Sequence, residues 1–236
     1  MRVNKNIKRK ALINKTLLCM ALTLFLAPAG WAKKEELPEV DSHGLHLVKG
    51  TKAKIVYALP GASLDIYSKV KLLDCYVSFK ENYQRDYNLN EVGLDGRITN
   101  KDMEDIKTRL AAGFRKEFTK VLTEKGHEVV DTVGPDVLLV RPAILNLDVA
   151  APDTPSSAFT TTIVRSAGYM TLYMELYDSA TNELLVRVAD PEEDDTGFAE
   201  RANRVTNTAA ANRAIKHWAD LLSDQLEESK TVVKKK

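Results

Sequence analysis

The clearest helical pattern in the chain lies between Thr99 and Gly126. Apolar residues recur there every three or four positions and form one stripe, made of Met103, Ile106, Leu110, Phe114, Phe118 and Val121. Thr99 stands three residues before Asp102, a variant of the capping box in which a hydroxyl and a carboxylate satisfy the first free backbone amides. Gly126 supplies the left-handed conformation that commonly ends a helix. The pattern predicts an amphipathic helix with one face on a core.

A second helical pattern covers roughly Arg201 to Glu227, near the end of the chain. Its apolar residues again fall on one stripe, which consists of Val205, Ala209, Ile215, Trp218, Ala219, Leu222 and Leu226. Between the two helices, Gly168 to Tyr177 alternates as a half-buried strand does, with Met170, Leu172, Met174 and Leu176 on one face. Residues 178–183 form a turn signal, and Leu184 to Ala189 is the predicted hairpin partner.

Two further segments have strand character. Tyr67 to Lys80 reads as one strand, because Leu73, Cys75, Val77 and Phe79 alternate onto one face. Val137 to Val149 is rich in aliphatic residues but contains Pro142, which cannot donate to a ladder and so predicts an edge position or a bulge. Residues 81–97 have no apolar period and are predicted to form a loop, as is the acidic run 190–195.

The order of these elements predicts the fold class. Strands, a helix, a hairpin and a final helix indicate an α+β domain with a mainly antiparallel sheet and helices packed on one face, in two layers. We expect one domain over residues 57–228, with an extended lead-in at 33–56 and a basic disordered tail at 229–236. The length of the chain suits this single domain.

The N-terminus has the pattern of a secretory signal peptide over residues 1–32. A basic segment without acidic residues is followed by an apolar run from Leu17 to Ala27, then by Pro28 and by small residues ending at Ala32. We expect cleavage after Ala32 and a periplasmic protein, with association with the outer membrane left open. The run is shorter than the roughly 20 residues of a spanning helix. An uncleaved N-terminal anchor is the alternative, and Leu18 before Cys19 argues against lipidation of that cysteine.

Charge changes the list of possible partners once the signal peptide is set aside. The chain has 34 basic and 33 acidic residues, and residues 1–32 hold six of the basic ones and none of the acidic ones. The mature chain would therefore carry a net charge of about −5 and lacks the clustered positive charge of nucleic-acid-binding proteins. Cys75 would be its only cysteine, which excludes an intramolecular disulfide.

Residues that could carry chemistry are few and scattered. His43 and His46 lie three positions apart, but a zinc site needs three or four converging ligands. Ser68 and Lys71 match a Ser-x-x-Lys pattern without its companion motifs. We therefore predict no catalytic residue, no metal site and no cofactor, and we do not predict an enzyme; a hydrolase with dispersed residues has no positive support.

One strand face indicates binding. Tyr169, Tyr173 and Tyr177 project from the same side of the predicted strand, and tyrosine is enriched at interfaces because it joins apolar area to a hydroxyl. We predict that this stripe binds an envelope partner; the alternative is that a helix or the N-terminal segment covers it. A second functional reading is a small-molecule or lipid-binding protein, with Met170 and Met174 lining an adaptable pocket between sheet and helices.

These elements resemble a bacterial envelope family known as domain of unknown function 3313. The resemblance rests on Tyr67–Val70 leading into Leu73–Phe79, on Asp136–Ala143, on the strand Gly168–Tyr177 and on the late helix with Trp218, and it covers most of residues 57–226. It implies an envelope protein without an assigned activity. Members are often predicted lipoproteins, a pattern from which this chain departs at Leu18-Cys19.

Overall fold

The computed structural model describes residues 36–91, 96–150, 152, 162–202 and 204–234. Side chains are described except in 162–167, 194–206 and 230–234. The predicted signal peptide lies outside the described residues, as does Cys19. No helix within the described ranges is long and apolar enough to cross a membrane.

Three helices lie within the described residues, and the second of them confirms the first sequence prediction. They are α1 (Tyr83–Asn90), α2 (Asn100–Glu124) and α3 (Arg204–Lys234). The predicted capping box starts α2, where Thr99 Oγ1 accepts from the Asp102 amide at 3.2 Å and Asp102 Oδ2 accepts from the Thr99 amide at 2.8 Å. The second prediction holds as well, although α3 continues to Lys234, into the residues expected to form a basic tail.

Eight strands of the described residues form one mixed sheet. They are β1 (His46–Val48), β2 (Ile55–Ala58), β3 (Lys69–Leu72), β4 (Tyr76–Phe79), β5 (Glu128–Val129), β6 (Val137–Val149), β7 (Thr162–Asp178) and β8 (Leu184–Ala202). Their order is β1-β2-β8-β7-β6-β3-β5, and β4 also pairs with β6. In this spatial order the neighbouring strands β1, β2, β8, β7 and β6 pair antiparallel. The pairs of β6 with β3, of β3 with β5 and of β6 with β4 are parallel. The predicted α+β class with a mainly antiparallel sheet is confirmed, and β1 and β2 extend that sheet with residues expected to form the lead-in.

The core lies between one face of the sheet and helices α2 and α3. Phe114, Phe118 and Trp218 are completely buried there, together with the methionine and leucine side chains of β7. The stripe predicted for α3 is wrong at Ala209, which is exposed, while its neighbour Ala210 is buried.

The prediction of a single strand from Tyr67 to Lys80 is wrong. The chain leaves the sheet between β3 and β4, so Leu72 rather than Leu73 is buried before the break, Cys75 is buried within it and Val77 after it. The break also explains Pro142, which was expected at an edge or a bulge but lies inside the sheet. In β6, Val140 pairs with Leu72 of β3 and Ala143 pairs with Tyr76 of β4, so the proline stands where its neighbour strand is interrupted.

Two predicted loops are secondary structure. The segment 81–97 contains α1, a short helix without an apolar stripe that is anchored by the buried ring of Tyr83. The acidic run 190–195 does not end the sheet, because β8 continues through it to Ala202. Asp190 is buried in this strand, where its carboxylate accepts from the Lys54 amide at 2.8 Å and from Trp218 Nε1 at 3.0 Å.

Candidate functional site

A cavity of about 420 Å³ opens between the two long helices and one end of the sheet. The helix α2 contributes Ile106, Leu110 and Gly113 to its wall, and α3 contributes the alanines at 210, 211 and 214. The sheet contributes Leu147 of β6 and Met170 of β7. The wall is therefore mainly apolar. Both methionines belong to the core cluster, but only Met170 also lines the cavity, whereas the sequence placed Met174 there as well.

The cavity lies where the facing surfaces of α2 and α3 carry small side chains instead of large ones. At the other end of α2, Phe114 and Phe118 stack at 4.8 Å between ring centroids and fill the space under the sheet. One turn before Phe114, Leu110 is only half-buried, and so is Ile106. Gly113 adds no side chain, and a Cβ at that position would meet only Asn212 Oδ1, at 3.9 Å. The apolar stripe of α2 is thus longer than the core that covers it.

The rim of the cavity is charged. Arg109 of α2 and Arg213 of α3 are exposed beside it, and Asp148 of β6 and Glu192 of β8 come from the sheet. Lys80 Nζ donates a hydrogen bond to Asp148 Oδ2 and forms an ion pair with it. Glu192 pairs in register with Met170, so it stands on the same side of the sheet as the cavity.

One glycine brings the strands together at this end of the sheet. Gly168 has a φ of +156°, and a Cβ there would lie 2.3 Å from the carbonyl oxygen of Asp148. Only glycine permits that approach. The contact places Asp148 and Met170, two residues of the cavity wall, on adjoining strands.

The predicted tyrosine stripe lies on the opposite face of the sheet from the helices. Tyr169 is 38% exposed, whereas Tyr173 and Tyr177 are half-buried. Their hydroxyls donate to the two oxygens of Glu175, at 2.8 Å from Tyr173 and 2.7 Å from Tyr177. Two of the three tyrosines therefore belong to a polar network, and Tyr169 presents the most surface.

That network continues across the sheet to the N-terminal segment. Arg187 of β8 stands opposite both Glu175 and Tyr57, donates to Glu175 Oε1 at 3.0 Å through Nη2, and also bonds Asp41. Asp41 in turn accepts from the amides of His43 and Leu45. The N-terminal segment thus covers part of this face, which is one of the alternatives raised from the sequence.

Burial and hydrogen bonding act in opposite directions on Glu175. Burial alone raises its pKa, but the bonds from Tyr177, Tyr173 and Arg187 outweigh burial and hold the pKa below its ordinary value of 4.5. On Tyr173, burial and the bond to Glu175 act together and raise the pKa of the phenol to about 12. Glu175 is therefore a carboxylate and Tyr173 a neutral donor near neutral pH.

The candidate metal and nucleophile residues do not converge. His43 lies against Arg187, with 3.3 Å between its Nδ1 and the guanidinium Nη2, and His46 is in β1. No group of three histidine, cysteine, aspartate or glutamate side chains suited to a metal ion is found within the described ranges. Burial raises the pKa of the Cys75 thiol to about 12.

Sequence reasoning missed the helix residues of the cavity. Arg109, Gly113 and the alanines of α3 were not singled out, although a glycine inside an amphipathic stripe was a readable signal.

A family model for proteins of unknown function, DUF3313, matches residues 91–222. The chain belongs to the DUF3313 family. The matched segment contains all of α2 and α3 as far as Leu222, so the DUF3313 region includes the residues of both helices that line the cavity. No curated protein matches this sequence.

Two solved structures illustrate how distant the structural neighbours of this DUF3313 chain are. A variant of the PelC dodecamer from Paraburkholderia phytofirmans shares 11% identity over 72% of this chain and 95% of its own, with a TM-score of 0.39. A minor lipoprotein from Acinetobacter baumannii shares 8% identity over 70% of this chain and 96% of its own, with a TM-score of 0.35. Neither likeness supports an argument about function.

Proposed function

We propose that this DUF3313 protein is exported into the cell envelope and acts there by binding, without catalysis, an apolar ligand that enters the cavity between the helices and the sheet. The observation that carries the proposal is the mainly apolar cavity of about 420 Å³ beside the first half of α2. Ligand sites are concave, mainly apolar and roughly 300–1,000 Å³ in volume. This cavity has the size and the lining of such a site.

The composition of the wall favours binding over catalysis. Among the described residues that line the cavity there is no histidine, cysteine, serine or lysine, and of its two carboxylates Asp148 is held in an ion pair with Lys80. Apolar walls supply affinity instead, since each buried methylene of a ligand contributes roughly 0.8 kcal/mol. An alkyl chain can therefore gain most of its affinity from this wall.

Filling the cavity from Gly113 tests the proposal directly. We expect Gly113→Leu to weaken binding of dodecanol at least tenfold, because the leucine side chain would occupy the space beyond the open Cβ position. The fold should be retained, since replacing a glycine inside a helix favours helix formation by up to about 1 kcal/mol. Isothermal titration with the mature chain measures the affinity, and thermal unfolding measures the stability.

Gly113→Ala is the matched control, because it adds one methyl group and leaves most of the cavity open. Both variants gain helix propensity, so a loss of binding confined to the leucine variant reports the cavity alone. Equal binding by the wild-type protein and Gly113→Leu would contradict the proposal.

Export is the second part of the proposal, supported by the sequence of residues 1–32. When the full chain is produced in a Gram-negative bacterium, we expect the protein in the periplasmic fraction to begin at Lys33. N-terminal sequencing of that fraction decides the matter. A chain that keeps Met1 and stays in the cytoplasmic fraction would refute export.

Binding of an envelope partner through the tyrosine stripe stays a prediction. Tyr76 of β4, 65% exposed, adds to the aromatic surface on that side of the sheet, where the register places it across Ala143 from Tyr173. The bonds of Tyr173 and Tyr177 to Glu175 equally fit a structural role, which Tyr173→Phe and Tyr177→Phe would test.

A further inference from the structure

We infer that the ligand of the cavity is an uncharged amphiphile, whose alkyl chain lies against the apolar wall and whose polar head group hydrogen-bonds the side-chain amide of Asn212. The inference rests on the proposed function, because it names the class of ligand for the same site. The juxtaposition that carries it is an amide in the wall of a mainly apolar cavity, beside a rim where opposite charges balance.

The helix pair places Asn212 in the wall of the cavity. Asn212 lies two positions from both Ala210 and Ala214, which are buried, so its side chain leaves α3 on another side and is only half-buried. Gly113 of α2 lies opposite, and a Cβ at Gly113 would meet only Asn212 Oδ1, at 3.9 Å. Because Gly113 has no side chain, it leaves the Asn212 amide uncovered where both residues line the cavity.

The hydrogen-bonding capacity of this amide is available to a ligand. Among the residues that the structure describes, none bonds to the side chain of Asn212, whereas Asn88 and Asn90 of α1 both bond the backbone. A ligand that fills the cavity takes the Asn212 amide out of contact with water, so the ligand has to supply a hydrogen bond in return. A few polar groups placed in an apolar wall in this way orient ligands in binding sites.

The charges at the rim of the cavity balance. Asp148 is held in an ion pair by Lys80, and Arg213 has an interaction partner of its own. Arg109 and Glu192 have opposite signs, so together they offer no net attraction to an anion or to a cation. Moving a charged head group out of water towards an apolar wall is unfavourable when no opposite charge compensates it. An uncharged head group is therefore favoured.

The chemistry of the amide narrows the head group further. The side chain of asparagine has an oxygen that accepts and an NH₂ group that donates, so a head group that both donates and accepts fits it best. A hydroxyl and a carboxamide share this property. A carboxylate only accepts, and a quaternary ammonium group does neither. Probes with one alkyl chain and these four head groups distinguish the possibilities.

The experiment therefore compares dodecanol, dodecanamide, dodecanoate and dodecyltrimethylammonium. Each is titrated as a monomer into the mature chain at neutral pH. We expect the two uncharged probes to bind about tenfold more tightly than the two ions, because only the ions bring an uncompensated charge to the wall. The tighter of the two uncharged probes identifies the head group as a hydroxyl or as an amide.

Asn212→Leu tests the assigned contact, because leucine is close to asparagine in size but cannot hydrogen-bond. We expect the affinity for dodecanol to fall about fivefold, as for the loss of one neutral hydrogen bond, while the affinity for dodecyltrimethylammonium does not fall. Leucine favours a helix more than asparagine does, so the fold should be retained. Gln225→Leu is the matched control, since it removes an exposed amide from α3 outside the cavity and should leave every affinity unchanged.

The two proposals fail in different ways. If dodecanoate or dodecyltrimethylammonium binds as tightly as dodecanol, or if Asn212→Leu binds dodecanol as tightly as the wild-type protein, the uncharged head group at Asn212 is overturned and the apolar cavity stands. Failure of all four probes to bind overturns the cavity as a ligand site, and the head-group assignment falls with it.

Discussion

Replacing Trp218 with alanine will lower the free energy of unfolding by about 3–5 kcal/mol. The indole is completely buried between α3 and the sheet, so its removal exposes a large space in the core. It also removes the donor at 3.0 Å from Asp190 Oδ2, and a buried carboxylate that loses a partner is costly. Urea unfolding of the mature chain, followed by far-UV circular dichroism, measures the change.

Two variants separate the packing effect from the hydrogen bond. Trp218→Phe keeps an aromatic ring but removes the indole N–H, so we expect a smaller loss of about 1–3 kcal/mol. Lys216→Ala, at an exposed position of the same helix, should change stability by less than about 0.5 kcal/mol. A loss below about 1 kcal/mol in Trp218→Ala would show that this part of the core is not packed as described.

Replacing Glu175 with alanine will lower the free energy of unfolding by about 2–3 kcal/mol. The carboxylate accepts hydrogen bonds from Tyr173, Tyr177 and Arg187. In the variant, two phenol hydroxyls and a largely buried guanidinium therefore lose this acceptor. Arg187 keeps its bond to Asp41, which limits the loss. Denaturant unfolding at neutral pH measures the effect.

The pH dependence of this difference provides an independent check. The pKa of Glu175 is below its ordinary value of 4.5 in the folded protein, so its contribution to stability is complete above about pH 4.5. It is lost as the pH falls through the folded pKa, because the unfolded chain binds the proton first. The stability curves of wild type and Glu175→Ala should therefore converge below pH 4.5, and parallel curves would contradict the assignment.

The same series tests the role of the tyrosine stripe. We expect Tyr173→Phe and Tyr177→Phe to lose stability because each removes a bond to Glu175, whereas Tyr169→Phe should not. If all three tyrosines can be replaced by phenylalanine without loss of stability, the network is not structural. That result would favour the prediction of a partner-binding face.

The elements that the sequence predicted well are those with a strong local signal. The stripe and capping box of α2 depend on residues three and four positions apart, so spacing alone reveals them. The strand β7 and its turn into β8 are equally local, because alternation and turn residues adjoin each other. The family was also recognisable from these segments, and the match over residues 91–222 confirms it.

The errors have a common cause in contacts between distant residues. The helix α1 has no amphipathic period and is held partly by Asn88, which bonds the backbone of Ile98. The run 190–195 looked solvated because acidic residues usually are, yet Asp190 is buried by Trp218, which lies 28 positions away. The sequence pattern did not reveal the break between β3 and β4. The break is evident from the pairing of both strands with β6, in which Pro142 lies beside it.

The sequence by itself determined the fold class, the two long helices and the hairpin, because each depends on local periodicity; the family was indicated by a resemblance over particular segments. Only the tertiary structure decided which apolar residues fill the core and which line a cavity. Ile106 and Phe114 belong to one stripe and look alike in sequence. What separates them is the set of neighbouring residues, since the small residues of α3, together with Gly113 of α2 itself, leave Ile106 beside the cavity.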